Sequence, residues 1–366
     1  MFYRLLILLG LSCSVYAQNI NYTHNNIYAF LPKNNQFDML LGYELVNDTV
    51  DIFNIKESEF SSNTQSFDSL GDMKGYNLNL GYSFFDNFYV SAKYNQKNLN
   101  YAGSTLTNEN IDIFLRYQIY RSKKFALAID AGYVTNRAKD LYIYDLNIIN
   151  NTISRVTSKD LSFSKENDTY YLTYVSDSTT SKISLENKPY IALLDTYDES
   201  YYIRGVLSYH GENTLFSLFG GYTQIDIKNN LDSSVAHENS DTIKDAITNN
   251  EIDASYKFER VDAIVFGGFN IQYSIGSFHS LFAYKLNKIY RIEGLEKNSN
   301  NEKTDINHIV DLNFAYDISD DLSFYLGGRL MSNQFNGEIH YLYTEYTNTT
   351  FDHKYGYVNT GFIYRF

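Results

Sequence analysis

Apolar and polar residues alternate along most of this chain, and this period of two constrains the fold more than any other feature. Between residues 76 and 84, every even-numbered position is Tyr, Leu or Phe, and every odd-numbered one is Asn, Gly or Ser. After Asp86-Asn87 the alternation resumes at Phe88 and Val90. Successive side chains of a strand point to opposite faces, so the pattern predicts β-strands with one apolar face, joined here as a hairpin.

The same pattern recurs from end to end and indicates an all-β fold. It predicts about twelve strands near 37–46, 74–85, 88–99, 108–121, 124–136, 200–210, 214–227, 252–274, 278–292, 304–318, 322–335 and 354–366. Short turns near 86–87, 122–124, 211–213, 275–277 and 319–321 alternate with long polar segments near 47–73, 100–107, 137–199, 228–250, 293–303 and 336–353.

A count of fourteen strands is the alternative. The segment 252–274 changes its apolar parity, which a bulge or a hairpin near Glu259-Arg260 would explain. The segment 137–199 contains strand-like patches, such as 141–144 and 170–174, which would either extend the strands or form a further hairpin.

The composition agrees with a strand-rich fold and excludes some partners. The chain has 36 Tyr and 25 Phe but 2 Pro and no Trp, and aromatic residues favour strands whereas Pro interrupts them. A net charge of -13 argues against nucleic acid as a partner. After residue 17, no stretch approaches the roughly 18 apolar residues that a membrane-spanning helix needs.

The first 17 residues are typical of a secretory signal peptide. Arg4 supplies a positive charge, 5–11 is an apolar run, and Val15-Tyr16-Ala17 provides a cleavage site. Cleavage there would remove Cys13, the only cysteine, and leave a mature chain without a thiol. Residues 18–36 are then predicted to be a loose N-terminal lead, with a short plug as the alternative, and 37–366 the folded domain.

The last eight residues are Asn359-Thr-Gly-Phe-Ile-Tyr-Arg-Phe366. Asn359, Gly361, Tyr364 and Phe366 fill a pattern that resembles the C-terminal insertion signal of bacterial outer-membrane β-barrels. The resemblance implies a transmembrane antiparallel up-and-down barrel in the outer membrane of a Gram-negative cell. It also implies short turns in the periplasm, contact with outer-membrane lipid and lipopolysaccharide, and recognition by the barrel-assembly machinery.

A secreted β-sandwich is the rival fold, because its strands also alternate. The short and long connections and the strand length favour the barrel, since about 9–11 residues cross a membrane at the usual tilt. Tyr residues near strand ends would form the interfacial girdles. They are Tyr43, Tyr76, Tyr82, Tyr94, Tyr117, Tyr133, Tyr273, Tyr290, Tyr316 and Tyr364.

If the apolar parity faces lipid, the opposite parity lines the lumen. Charge on the lipid face near mid-membrane would cost about 2–4 kcal/mol, so the charged residues of the strands must face inward. The predicted lumen-lining residues are Lys93, Lys97, Arg116, Asp130, Arg204, Lys285, Arg291, Asp305, Asp311 and Arg329. The same parity places Asp38, Glu44, His210, Asp262, Asp317 and Arg365 inward.

Three functions remain open at this stage. A monomeric passive porin-like channel for small hydrophilic solutes is the first, because a charged lumen can filter solutes. The second is a structural or adhesin-like surface barrel whose lumen is closed by Arg–Asp networks. An outer-membrane hydrolase is the third, with His340, Asp352 and His353 near one outer loop, although no catalytic residue is assigned. No metal site or cofactor is predicted, and the 137–199 segment is expected either to narrow the bore or to stand outward.

Overall fold

The computed structural model describes residues 27–47, 70–101, 104–150, 161–176, 179–237, 255–291, 305–343 and 354–366. The predicted signal peptide and Cys13 lie outside these residues. No helix in the described ranges is long and apolar enough to cross a membrane. In chain order the strands are β1 (Phe37–Val46), β2 (Leu70–Phe84), β3 (Phe88–Tyr101), β4 (Ser104–Arg121), β5 (Phe125–Ala138), β6 (Leu141–Ile143), β7 (Leu161–Glu166), β8 (Thr169–Ser176), β9 (Thr179–Leu185), β10 (Ile191–His210), β11 (Thr214–Ser233), β12 (Ser255–Ile275), β13 (Phe278–Arg291), β14 (Ile306–Asp317), β15 (Leu322–Met331) and β16 (Tyr355–Arg365).

Twelve long antiparallel strands, β1–β5 and β10–β16, form one closed barrel. Each pairs with its neighbours in the chain, and the last strand returns to the first, with Gly361 opposite Gly42 and Val358 opposite Leu45. At this seam the main chains of Phe37 and Phe366 exchange hydrogen bonds of 2.7 and 2.9 Å. The predicted all-β barrel is therefore confirmed.

The count of twelve is confirmed over fourteen. β12 is one strand whose pairing with β11 runs without a register shift from Tyr273 to Ser255, so the change of parity in 252–274 reflects neither a hairpin nor a bulge. The predicted 200–210 strand begins earlier, at Ile191, because its upper part continues to pair with β11. The predicted 322–335 strand ends at Met331.

Outward and inward faces alternate as the sequence predicts. On β4, Leu115 and Tyr117 are each 43% exposed, whereas Arg116 between them is 2% exposed. Eight of the ten predicted girdle residues are exposed. Tyr94 and Tyr133 are half-buried, and the ring of each packs against a Tyr ring of an adjacent strand. The barrel thus presents an outer surface rich in exposed Tyr, Leu, Ile and Phe, whereas side chains such as that of Arg116 point into its interior (the bore).

Between the barrel strands β5 and β10, the described part of the 137–199 segment forms four further short strands. β7, β8 and β9 form a separate three-stranded sheet, and β6 pairs with the first residues of β10. The small sheet packs through Leu161, Phe163 and Leu172 against Ile191, with Leu231 alongside. It therefore rests on the upper parts of β10 and β11, at the end of the barrel that carries the long connections (the long-loop end).

Two pairs of adjacent glycines show how closely the wall and its inner side chains pack. A Cβ on Gly268 would lie 2.1 Å from the carbonyl oxygen of Tyr284 and 2.7 Å from the ring of Phe219, and a Cβ on Gly221 would lie 2.3 Å from the carbonyl oxygen of Ile203. Their neighbours Gly267 and Gly220 face outward and would meet nothing closer than 3.5 Å. The inward glycines make room for the Phe rings of the next strand.

We expect Gly268→Ala to destabilise the folded barrel by about 1–3 kcal/mol, because the new methyl group would overlap main-chain atoms that cannot move independently. The measurement is the urea midpoint of folding into lipid vesicles, followed by the heat-dependent shift in gel mobility. The control is Gly267→Ala, one residue away on the opposite face, which should change stability by less than about 0.5 kcal/mol. Equal effects of the two substitutions would contradict the packing described here.

Candidate functional site

A network of arginine and aspartate residues lies on the inner face of one wall of the barrel. The guanidinium group of Arg116 forms a fork on Asp130, with Nε–Oδ1 and Nη2–Oδ2 distances of 2.6 and 2.9 Å. Arg204 donates to the same carboxylate, with Nε–Oδ2 at 2.7 Å. The three residues lie directly opposite one another on β4, β5 and β10, because the inward parity of each strand meets that of the next in register.

A second network occupies the opposite wall. Arg329 binds Asp311 with an Nε–Oδ1 distance of 2.7 Å and Glu338 with an Nη1–Oε1 distance of 2.7 Å. Towards the long-loop end, Arg291 and Arg260 share Asp262, at 2.8 and 2.9 Å. These fully or largely buried ion pairs satisfy charges that the bore would otherwise isolate.

Nine of the ten predicted lumen-lining residues lie on the inward face of a strand. Besides the residues above, Lys93 lies 3.6 Å from Asp112, Lys97 pairs with Glu44, and Lys285 lies 5.2 Å from the centre of the Phe266 ring. Asp305 is the exception. It precedes β14 and pairs with Lys288, a residue of outward parity, and both side chains are more than one third exposed, so Asp305 lies at the rim.

The N-terminal segment (residues 27–36) enters the bore from the end with the short turns (the short-turn end). Tyr28 is fully buried, and its hydroxyl donates to Gln272 at 2.9 Å. Its carbonyl accepts from Arg116, and the carbonyl of Ala29 accepts from Gln118 at 2.6 Å. The prediction of a loose lead is wrong for residues 27–31, and the alternative of a short plug describes them.

Wall side chains bind this segment mainly through its backbone. Asn270 donates to the carbonyl of Ile27 at 2.9 Å, and the main-chain N–H of Ala29 donates to Ser208 at 2.8 Å. The ring of Phe30 makes an edge contact with His210, whose predicted inward position is thereby observed. Donors and acceptors from β4, β10 and β12 therefore hold one short stretch of chain across the bore.

A second segment (residues 332–343) folds into the bore from the long-loop end. Phe335, Ile339 and Tyr341 are at most 3% exposed. The carboxylate of Asp198 accepts from the main-chain N–H groups of His340 and Tyr341 at 2.9 and 3.3 Å. The sequence predicted that 137–199 could narrow the bore. In the described residues 332–343 enters the bore, and Leu141, Ile143 and Ile148 of the 137–199 segment belong to the same buried cluster.

Other strands complete the enclosure of the 332–343 segment. Arg260 donates to the carbonyls of His340 and Tyr343, and Arg291 stacks on the Tyr343 ring at 3.9 Å. Burial, followed by the charges of Arg260 and Arg291, holds the pKa of His340 well below its ordinary value. His340 is therefore a neutral, enclosed residue and a poor general base, and its predicted partners Asp352 and His353 lie outside the described residues.

A chain of polar side chains follows the inner rim at the short-turn end. Nδ1 of His279 lies 2.8 Å from the Ser274 hydroxyl, and Nε2 of His279 lies 2.8 Å from Asp317. The other carboxylate oxygen of Asp317 accepts from Ser323 at 2.5 Å, and Ser323 accepts in turn from Arg365 at 3.2 Å. The partners of His279 lie on the two neighbouring strands, Ser274 on β12 and Asp317 on β14.

This rim chain joins five successive strands and leaves His279 only 6% exposed. The order hydroxyl, imidazole, carboxylate could support proton transfer. The same hydrogen bonds also link adjacent strands next to the β1–β16 seam, which is a structural role. Across the described ranges, no group of three or more His, Cys, Asp or Glu could hold a metal ion.

The sequence contained only weak signals for the two segments in the bore. Residues 27–32 and 334–343 include unusually apolar stretches within polar connections, such as Tyr28-Ala29-Phe30-Leu31. Neither stretch has a strand-like period of two across its whole length, so the sequence predicted 27–32 and 336–343 to lie outside the barrel strands.

Comparison of the sequence with protein-family models gave no match, and comparison with curated proteins gave none either. Among solved structures, the chain is similar to the NanC porin, with 9% identity and a TM-score of 0.40 over 89% of this chain and 98% of that one. It is also similar to the translocator domain of the autotransporter NalP from Neisseria meningitidis, with 8% identity and a TM-score of 0.45 over 92% of this chain and 90% of that one. A third similar structure is the outer membrane phospholipase A from Escherichia coli, with 13% identity and a TM-score of 0.32 over 91% of this chain and 97% of that one. At these identities the likeness concerns the fold alone.

We expect Arg116→Met to destabilise the folded barrel by about 3–5 kcal/mol, because it removes the fork on the fully buried Asp130 and a donor to the N-terminal segment. The measurement is the urea midpoint in vesicles. Arg137→Met is the matched control, since Arg137 faces outward on the adjacent strand and stacks on Tyr197 alone among the contacts described for it. A loss for Arg116→Met no larger than that for Arg137→Met would contradict the role of the network.

Proposed function

We propose that this outer-membrane β-barrel is a closed-bore surface protein, which anchors a structured region at its long-loop end and presents it outside the cell. The observation that carries the proposal is the filling of the bore at two depths. Tyr28 in the N-terminal segment is 0% exposed, and Tyr341 in the 332–343 segment is 1% exposed. A passive pore of fixed width needs neither segment.

The closure is built from specific bonds. The two segments bring main-chain carbonyl groups into the bore, and buried carbonyls need donors. Arg116 and Gln118 supply them for residues 28 and 29, and Arg260 supplies them for residues 340 and 343. Bonds from charged donors are among the stronger ones in proteins, which supports a stable closure.

The length of the strands at the long-loop end supports a role at the cell surface. β10, β11 and β12 have 20, 20 and 21 residues, about twice the 9–11 needed to cross the membrane. The small sheet β7–β9 packs on this extension through its own apolar cluster. On the same extension Tyr142 and Tyr144 are exposed at 43 and 45% and pack against the ring of Tyr190. Exposed Tyr residues are common at protein recognition surfaces.

A channel for small hydrophilic solutes is the second candidate. It is favoured by the partly exposed charges that remain between the two segments, such as Lys93 and Arg204, whose side chains are 20 and 13% exposed. In this candidate the bore conducts only when both segments leave it, which is feasible since neither segment belongs to the wall. Passive and permanent conduction, the function predicted first from the sequence, would require both to be absent.

We expect the intact protein to give no stable current steps in planar bilayers, because each segment blocks the bore at its own depth. A variant lacking residues 27–31 and a variant with 333–342 replaced by a short Gly-Ser loop should also be silent. Only the combination should conduct. Stable, salt-dependent steps from the intact protein would contradict the closed-bore proposal and support the channel.

We expect a variant with residues 161–185 replaced by a short Gly-Ser linker to fold and insert normally but to lose binding of expressing cells to immobilised glycans and extracellular-matrix proteins. The reason is that β7–β9 form a sheet of their own, outside the barrel ladder. Heat-dependent gel mobility and surface protease accessibility report folding. Equal binding by cells carrying the intact and the shortened protein would contradict a recognition role for this region.

A further inference from the structure

Ser274, His279 and Asp317 form one hydrogen-bonded line at the short-turn end of the bore. The Ser274 hydroxyl lies 2.8 Å from Nδ1 of His279, and Nε2 of His279 lies 2.8 Å from a carboxylate oxygen of Asp317. Ser274 and His279 are directly opposite each other beside the turn between β12 and β13, so the hairpin itself brings them together. The other carboxylate oxygen of Asp317 accepts from Ser323 at 2.5 Å, which fixes its orientation. A hydroxyl, an imidazole and a carboxylate in this order are the groups that nucleophilic hydrolysis uses.

The hydrogen-bond partners fix the position of each proton in this line. An ionised carboxylate can only accept, so in the neutral ring of His279 the proton is on Nε2, which donates to Asp317, and Nδ1 is left as an acceptor. The Ser274 hydroxyl is the donor to Nδ1. His279 is therefore oriented as a general base for the Ser274 hydroxyl.

The side-chain amide of Gln272 supplies a hydrogen-bond donor beside the same hydroxyl. Its Nε2 lies 3.2 Å from the Ser274 oxygen and donates to it. The hydroxyl of Tyr28 donates to Oε1 of Gln272 at 2.9 Å, which fixes the amide with its N–H groups towards Ser274. A fixed donor at this position can stabilise negative charge on an oxygen that develops next to the Ser274 oxygen.

The nucleophile is the most accessible group of this constellation. Ser274 is half-buried, whereas His279 and Gln272 are 6 and 4% exposed. Ser274 is the last residue but one of β12, so it lies at the opening of the bore at the short-turn end. Because the fully buried Tyr28 fills the bore beside Gln272, we expect only small molecules that enter this opening to reach Ser274.

We propose that Ser274 is the nucleophile of an ester-hydrolysing site at the short-turn opening of the barrel, with His279 as its general base. The Ser274 oxygen attacks the carbonyl carbon of a small carboxylic ester while its proton passes to Nδ1 of His279. The alcohol leaves with that proton, and a water molecule, activated by the same nitrogen, releases the acid and restores Ser274. The site lies at the opposite end of the barrel from the outward region, so it is independent of the proposed surface role.

The experiment is labelling of the detergent-solubilised intact protein with diisopropyl fluorophosphate, a small reagent that phosphorylates activated serine residues with loss of fluoride. Peptide mass spectrometry locates the modified residue. We expect the label on Ser274, and His279→Gln should slow labelling about a hundredfold or more, because general-base catalysis contributes about 10²–10⁴-fold. Hydrolysis of p-nitrophenyl acetate should be lost in Ser274→Ala.

Ser280→Ala is the matched control. Ser280 is next to His279 in the chain but lies on the opposite face of β13, where it donates to the carbonyl of Tyr273. This substitution should leave both labelling and ester hydrolysis unchanged.

The heat-dependent shift in gel mobility shows which variants fold. If His279→Gln folds poorly, Ser274→Ala, which removes a single oxygen atom, decides the result. No label on Ser274 in the intact protein, or equal ester hydrolysis by the intact protein and Ser274→Ala, would overturn the proposal and leave the rim chain with a structural role alone. Equally fast labelling of a folded His279→Gln variant would overturn the assignment of His279 as the base.

Discussion

The pairing of β16 with β1 is the constraint on which the rest of the molecule depends. A strand in hydrocarbon cannot leave its main-chain N–H and C=O groups unpaired, so a sheet survives in a membrane only when it closes. The closing ladder runs from Leu45 and Val358 to Asp38 and Arg365, and Phe366 then bonds to Phe37. Once the barrel is closed, the parity of each strand residue determines whether its side chain faces the surroundings or the bore.

This dependence explains what the sequence predicts well. Parity is a local property with a period of two, so the inward positions of Arg116, Asp130 and Arg204 follow from the residues beside them. Strand bounds are also local where a strand ends at a short turn, and β1 begins and ends where the alternation does. Asp305 shows the limit, because its parity is inward but β14 begins one residue later and frees its side chain to reach Lys288.

The two segments inside the bore are positioned by contacts between residues far apart in the sequence, which no local pattern encodes. The bond from Arg116 to the carbonyl of Tyr28 joins residues 88 apart, and that from Asn270 to the carbonyl of Ile27 joins residues 243 apart. These partners meet because the closed barrel places inward-facing groups of distant strands at the same depth in the bore. A segment with no period of its own can then be held there by whichever donors face it. This is why sequence reasoning identified most of the lining but not what the lining binds.

The long-loop end shows how one barrel can be closed and extended at the same time. On one side, β10 to β12 continue well past the length needed to cross the membrane and carry the small sheet. On the other side, β15 stops at Met331, and the chain turns inward instead of upward. Asp198 and Arg260 lie on the extended strands, yet both bind the inward segment. The hydrogen bonds that close the bore therefore also link the long strands β10 and β12 to the segment that follows the short strand β15. The extended strands and the inward segment are therefore joined by several side chains, among them Asn229, which donates to the carbonyl of Tyr341.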